Sequence, residues 1–169
     1  NRRSRGLGDV YKRQVLHAAF GTAKWVAEDG TAVDLARSRT EHYAAPAVLP
    51  TVSPATLVED LARRDFTINA MALGLHPDRL GTLLDPHDGW TDLAQGRLRV
   101  LHERSFVDDP TRMFRAARFG ARFGFDLTVE SAGLLRAAVE DGVLHHLGRE
   151  RMGAAVSYTH LTLPTKLAV

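Results

Sequence analysis

The chain has 169 residues, 44% hydrophobic and 25% charged, with a formal net charge of +2 and no cysteine. That length suits one domain, or one and a part, and the lack of cysteine excludes a disulfide framework and a Cys-based zinc site. No stretch approaches the roughly 20 apolar residues of a membrane helix and no secretory pattern is visible, so a cytoplasmic protein without a membrane partner is expected.

The positive charge sits at the ends. Residues 1–14 hold Arg2, Arg3, Arg5, Lys12 and Arg13 against Asp9, and residues 157–169 hold Lys166 alone. The stretch between them is net negative, so local clusters, not bulk charge, must make any case for nucleic-acid binding. Both end runs lack the periodicity of their neighbours and resemble translated sequencing-adapter DNA. They are read as extraneous tails and set apart from the fold, as a fusion scar would be.

Residues 17–27 predict a strand with Phe20, Ala23, Trp25 and Val26. Asp29-Gly30 predicts a hairpin turn, and residues 31–37 return as a second strand, with Val33 and Leu35 on one face and Asp34 on the other. Residues 43–54 carry Pro46, Pro50 and Pro54 and predict a loop. Helical spacing of Leu57, Val58 and Leu61 runs from about Ala55 to Arg64. Thr67–Leu75 reads as a short helix leading into a strand, Asp85 to Gly89 as a turn, and Asp92 to Gly96 as a helical turn. From residue 103 to 156 the pattern is helical, with breaks at Pro110, Gly124, Gly142 and Gly148. Asp109-Pro110 predicts one helix start and Thr128 with Ser131 another. The order is α+β: a part with a short sheet, then an all-α part.

Chemistry concentrates in two runs. Arg63, Arg64, Asp65 and Asn69 crowd together where the chain turns apolar. Arginine offers forked donors for phosphate oxygens; Asp65 can accept from a ribose hydroxyl, and Asn69 could fix that geometry. In the second run, Asp109 and Arg112 stand three residues apart at a helix start, so they can project together. An ionised Asp only accepts hydrogen bonds and Arg only donates. Cytosine and adenine each present an amino donor beside a ring-nitrogen acceptor, so the pair fits them. Guanine and uracil present a carbonyl beside an N–H, so it opposes them. A plain helix cap with a local ion pair is the structural alternative. Arg112, Arg115, Arg118 and Arg122 form a stripe, with no acid between Met113 and Phe125, which suits triphosphate or RNA backbone. Asp34 is the one candidate metal ligand, for a Mg²⁺ that would bridge substrate oxygens. Adjacent helix residues point apart, so His145-His146 is read as structural.

The runs RRDFTINA (63–70) and DDPTR (108–112) resemble the signatures of class II nucleotidyltransferases, the family of bacterial tRNA CCA-adding enzymes and poly(A) polymerases. The resemblance covers roughly residues 15–153. It implies an incomplete polymerase-beta-like nucleotidyltransferase head (15–101) and part of a helical neck (102–156). It places Arg63, Arg64 and Asp65 at the nucleotide ribose and phosphates. It makes Asp109 and Arg112 the protein template for the base, and puts Arg115 and Arg118 near the nucleotide. Asp108 departs from the family's usual Glu. Asp85, Pro86, Gly89, Asp92 and Leu93 match the segment joining head to neck, and Arg149-Glu150-Arg151-Met152 the start of a later neck motif. Asp34 matches the third of three catalytic, metal-binding carboxylates. The other two and a Gly-Gly phosphate loop belong upstream of Phe20-Gly21-Thr22, where this chain carries its first tail. The implied parent adds CMP and/or AMP from CTP and ATP to the 3′ hydroxyl of tRNA with Mg²⁺, releasing pyrophosphate. The piece given is expected to be inactive. A poly(A) polymerase and a non-catalytic RNA-binding module are the alternatives.

Overall fold

A computed structural model describes residues 14–17, 21–27 and 29–161. Residues 1–13 and 162–169, most of the two expected tails, lie outside the described residues, as does Phe20. Of the strand predicted over 17–27, residues 22–26 form one, and a further strand ends where the prediction begins. β1 (Gln14–His17) and β2 (Thr22–Val26) pair antiparallel, and β3 (Ala32–Ala36) pairs antiparallel with β2 on its other edge. The predicted turn at Asp29-Gly30 is present. Gly30 takes φ 85°, which suits a residue without Cβ, and Asp29 Oδ1 accepts the Thr31 N–H at 2.8 Å. The register sets Trp25 opposite Val33, Ala23 opposite Leu35, and Lys24 opposite Asp34. Trp25, Val33 and Leu35 all remain exposed.

The loop predicted over 43–54 contains a strand. β4 (Arg39–His42) pairs with β5 (Thr51–Pro54), and Pro54 faces Arg39 at the ribbon's end. Proline's missing N–H is tolerated there because a two-stranded ribbon is all edge. α1 (Leu57–Ala62) begins two residues after the predicted start. Thr56 and Glu59 form a reciprocal capping box, with the Thr56 N–H donating to Glu59 Oε2 at 2.8 Å. A single 3-10 turn at Thr67–Asn69 and the hairpin of β6 (Ala72–Leu73) with β7 (Leu83–Leu84) follow.

α2 (Gly89–Ala94) starts earlier than the helical turn expected from Asp92. Asp85 accepts the N–H groups of Gly89 and Trp90, each at 2.8 Å. The left-handed residue of this turn is Asp88, at φ 59°. Gly89 serves a different need, close packing: a Cβ there would lie 2.2 Å from the Thr67 carbonyl oxygen. Asp92, buried, accepts from Thr67 Oγ1 at 2.6 Å and Arg99 Nε at 2.8 Å. Thus α2 is locked onto the turn that follows Arg63-Arg64-Asp65.

The helical part comprises α3 (Ser105–Asp108), α4 (Thr111–Phe123), α5 (Val129–Glu140) and α6 (Arg149–Leu161), with a 3-10 turn at Val143–His146. Pro110 occupies the N-cap of α4, one place later than predicted; Asp109 Oδ1 still accepts the Thr111 N–H at 3.2 Å. Gly124 ends α4 in the left-handed conformation at φ 70°, and Thr128 caps α5 through the Ser131 N–H. The α6 backbone continues past residue 156 to Leu161.

The core crosses the head–neck join drawn at residue 101. Phe66 and Leu98 pack with Phe106, Met113, Ala116, Ala138 and Val143. β8 (Arg97–Leu98) pairs in parallel with β9 (Asp126–Leu127), between α4 and α5. Gly89→Ala is expected to lower the thermal midpoint by several degrees, about 2 kcal/mol, because the new methyl meets fixed backbone. Thermal unfolding followed by circular dichroism checks this, and an unchanged midpoint would refute the close-packing role.

Candidate nucleotide-binding site

An open cleft of about 560 Å³ lies between the β4–α1 region and α4. It brings together Arg63, Arg64, Asp65 and Asn69 from the first run and Asp109, Arg112 and Arg115 from the second, with Glu41, Tyr43, Thr111 and Phe119 completing the wall. Arg118 lines a neighbouring cavity of about 480 Å³ with Phe114, Arg115 and Arg151. Asp34 lines neither. Its side chain is 79% exposed and faces Lys24 Nζ at 3.8 Å across the strands.

The organiser of the first run is a residue that sequence reading missed. Asp60 is buried, and its Oδ1 accepts from Arg63 Nε at 3.0 Å, Arg63 Nη2 at 2.8 Å and the Arg39 N–H at 3.1 Å. Its Oδ2 accepts from Arg64 Nη2 at 3.0 Å. Burial pushes the Asp60 carboxyl up, but the bonds from Arg63, Arg64 and Arg39 outweigh it and hold the group below the usual aspartate value. The signal was available: Asp60 precedes the two arginines by three and four residues, the spacing at which helix side chains meet. Glu41 and Tyr43 gave no such signal, since Arg63, the residue that ties them to the site, lies twenty-two positions beyond Glu41. Glu41 accepts from Arg63 Nη1 at 2.6 Å and from the Tyr43 hydroxyl at 2.8 Å. Burial, with Glu41 beside it, pushes the Tyr43 phenol up and keeps it a donor.

The two arginines therefore differ. Arg63 also donates to the Arg39 carbonyl, so its whole fork braces protein. Arg64 is 42% exposed and holds Asp60 through one nitrogen, which leaves donors for a ligand. Asp65 Oδ1 accepts the Phe66 N–H at 2.9 Å and Asn69 Nδ2 at 3.0 Å, while Oδ2 accepts Arg115 Nε at 2.5 Å.

On α4, the stripe of four arginines divides. Arg112 turns inward and is 4% exposed, donating to Ser105 Oγ at 2.6 Å and to the Arg63 carbonyl at 2.8 Å. Arg115 meets an acid from another element, Asp65, that local sequence could not show. Arg115 and Arg118 lie over the Phe119 ring, and Arg122 lies 5.0 Å from the centroid of Phe123. Asp109 Oδ1 accepts from Thr111 Oγ1 at 2.7 Å and from Arg151 Nη2 at 3.1 Å. Oδ2 accepts none of these bonds. One cleft is thus lined by the Asp109 carboxylate and the clamped Arg112, together with Arg64 and Arg115. No group of three or more His, Asp or Glu that could hold a metal ion occurs among the described residues.

A family model described as the poly A polymerase head domain matches residues 5–99. The chain belongs to that family. The match starts within the N-terminal run set apart as a tail and ends just before the join at residue 101. Among curated relatives, the A-adding tRNA nucleotidyltransferase of Geobacter sulfurreducens is 48% identical over 136 residues, 80% of this chain and 16% of that protein. The CC-adding tRNA nucleotidyltransferase of Deinococcus radiodurans is 44% identical over 76% of this chain and 33% of that protein. A solved CCA-adding enzyme in an apo form superposes with a TM-score of 0.84 at 43% identity, covering 90% of this chain and 36% of that one. The chain therefore spans about a third or less of these curated relatives. Shared topology with a family member at that identity fits the α+β reading, a head with small sheets followed by helices.

For this family member, the placement of Arg63 and Arg64 should depend on Asp60 charge. Above the ordinary aspartate value of 3.8 the contribution of Asp60 is fully present; it is lost as pH falls through the lower folded value. Urea unfolding should show Asp60→Asn less stable than wild type by about 2 kcal/mol at neutral pH, with the gap shrinking in acid. A gap that persists in acid would mean packing, not charge, holds the arginines.

Proposed function

We propose that the parent of this chain transfers CMP and/or AMP from CTP or ATP to the 3′ hydroxyl of tRNA, releasing pyrophosphate, and that the cleft is where the incoming nucleotide is read. The observation that carries the reading is Asp109 beside Arg112 in one polar cleft with Arg64, Asp65 and Arg115. Related solved structures support it: a Thermotoga maritima CCA-adding enzyme complexed with tRNA, and CCA-adding enzymes complexed with ATP and with CTP.

In this reading Asp109 Oδ2 accepts the amino hydrogen of cytosine or adenine, and a free Arg112 N–H donates to the neighbouring ring nitrogen. Arg64, Arg115 and Arg118 meet phosphates or RNA backbone, and Asp65, held by Asn69, meets the ribose. Arg63 acts through Asp60 and Glu41 as a brace. Residues 15–101 serve as the incomplete head and 102–156 as the partial neck, and the reaction belongs in the cytoplasm, where tRNA and nucleoside triphosphates meet.

Nucleotidyl transfer calls for a divalent cation, Mg²⁺ in the simplest case, held by carboxylates. The described residues do not fit such a centre. Asp34 is a lone strand carboxylate facing Lys24, so no transfer step is assigned to it here. The chain as given is accordingly proposed to bind nucleotide without transferring it.

Equilibrium binding of CTP, ATP, UTP and GTP tests the reading. Wild type should prefer CTP and ATP. Asp109→Ala should weaken both by roughly tenfold or more and narrow their advantage over UTP and GTP, since it removes an acceptor and an opposition together. Arg122→Ala should leave the preference unchanged, because backbone contacts position without specifying. If Asp109→Ala kept the CTP-to-UTP ratio, the helix-cap role would stand instead.

A further inference from the structure

The clamp behind Arg112 has a third member. His102 Nε2 lies 3.3 Å from Arg112 Nη1, the nitrogen that also donates to Ser105 Oγ. Arginine can only donate, so Nε2 must be the unprotonated acceptor and the ring hydrogen must sit on Nδ1. With Ser105 and His102 taking Nη1 and the Arg63 carbonyl taking one hydrogen of Nη2, the guanidinium plane is fixed on three sides. What stays available is Nε–H and the second Nη2 hydrogen.

We propose that His102 is a positioning residue for base selection: its unprotonated Nε2 holds the Arg112 fork in the orientation that presents the remaining donors to cytosine or adenine. This role rests on Arg112 reading the base.

The surroundings of His102 make the acceptor sensitive to pH. From α4 it meets Arg112. From α3 it meets Asp108, whose Oδ2 is 4.0 Å from Nδ1; from the residue before α3 comes Arg104, which pairs with Asp108 at 3.2 Å and so blunts its pull. Burial, then the Arg112 charge, holds the imidazole below its usual value despite Asp108, so it is neutral at pH 7. Protonation at lower pH puts a hydrogen on Nε2. The acceptor is lost and two cations face each other at the distance of the former bond. Arg112 must then turn, and the Nη1 hydrogen is left unsatisfied beside Ser105.

The test is equilibrium binding of CTP and UTP by the chain from pH 7.5 down to pH 5, read as the ratio of affinities, in which the shared triphosphate titration cancels and His102→Gln is the control for protonation of the cytosine ring nitrogen. Wild type should lose on the order of tenfold in that ratio as pH falls. His102→Leu should show the reduced ratio at every pH. His102→Gln should keep the higher ratio where wild type loses it, apart from the fall due to cytosine alone, because Gln Oε1 reaches as far as His Nε2 and does not titrate. Proton NMR of the His102 ring should show CTP, but not UTP, lowering its titration midpoint. If His102→Leu fails to fold, wild type against His102→Gln and the ring titration carry the test. A wild-type ratio that ignores pH, while Arg112→Ala abolishes the preference, overturns the role of His102 and leaves the base reading intact. If Arg112→Ala leaves the preference intact, the base reading itself is wrong, and the role of His102 goes with it.

Discussion

One buried guanidinium joins the two walls of the cleft. Arg112, on the helical side, donates to the Arg63 carbonyl on the sheet side and to Ser105 beneath it. Removing it would leave a buried carbonyl and hydroxyl without a donor, a loss of about 1–3 kcal/mol for each group. A second bond, Arg115 to Asp65, also crosses the cleft. Between them these bonds set the cleft's width. Phe66, next to Asp65 and fully buried, anchors the same point in the core. The polar site and the apolar core are consecutive in the chain, so neither can shift without the other.

Much of this was legible in the sequence, because the informative residues were local. Arg63-Arg64-Asp65 and Asp109-Arg112 stood out by type and spacing and line one cleft, and Gly124 and Thr128 declared helix ends. The misreadings have a common cause in tertiary context. Prolines hid β5, since nothing local tells an edge ribbon from a loop. An arginine stripe at helical spacing read as one face, yet Arg112 is buried while Arg115 is paired from outside the helix. Gly89 read as a turn residue, although what it avoids is a carbonyl twenty-two positions earlier. Asp60 was passed over beside more conspicuous arginines, though it is their common partner.

Electrostatics are arranged in layers. The most deeply buried charged groups among the described residues are Arg112 and the carboxylates Asp60 and Asp92, each carboxylate held by arginine and by a backbone or hydroxyl donor. Buried ion pairs of this kind specify geometry more dependably than they add stability. Outside them stand Arg118 and Arg122, whose guanidinium carbons lie 5.7 and 5.0 Å from the ring centroids of Phe119 and Phe123. A net charge of only +2 for the chain thus conceals a strongly polarised surface.

The two sides of α4 have different masters. Met113 and Ala116 belong to the core that also holds Phe66 and Leu98, while Arg112 and Arg115 face the cleft. Exchange of this helix between relatives therefore carries core residues along with cleft residues. A transplanted α4 brings foreign core residues into a jigsaw shared with the sheet-bearing part. Substitution along the cleft-facing edge can proceed alone, whereas the opposite edge changes only in step with its packed neighbours.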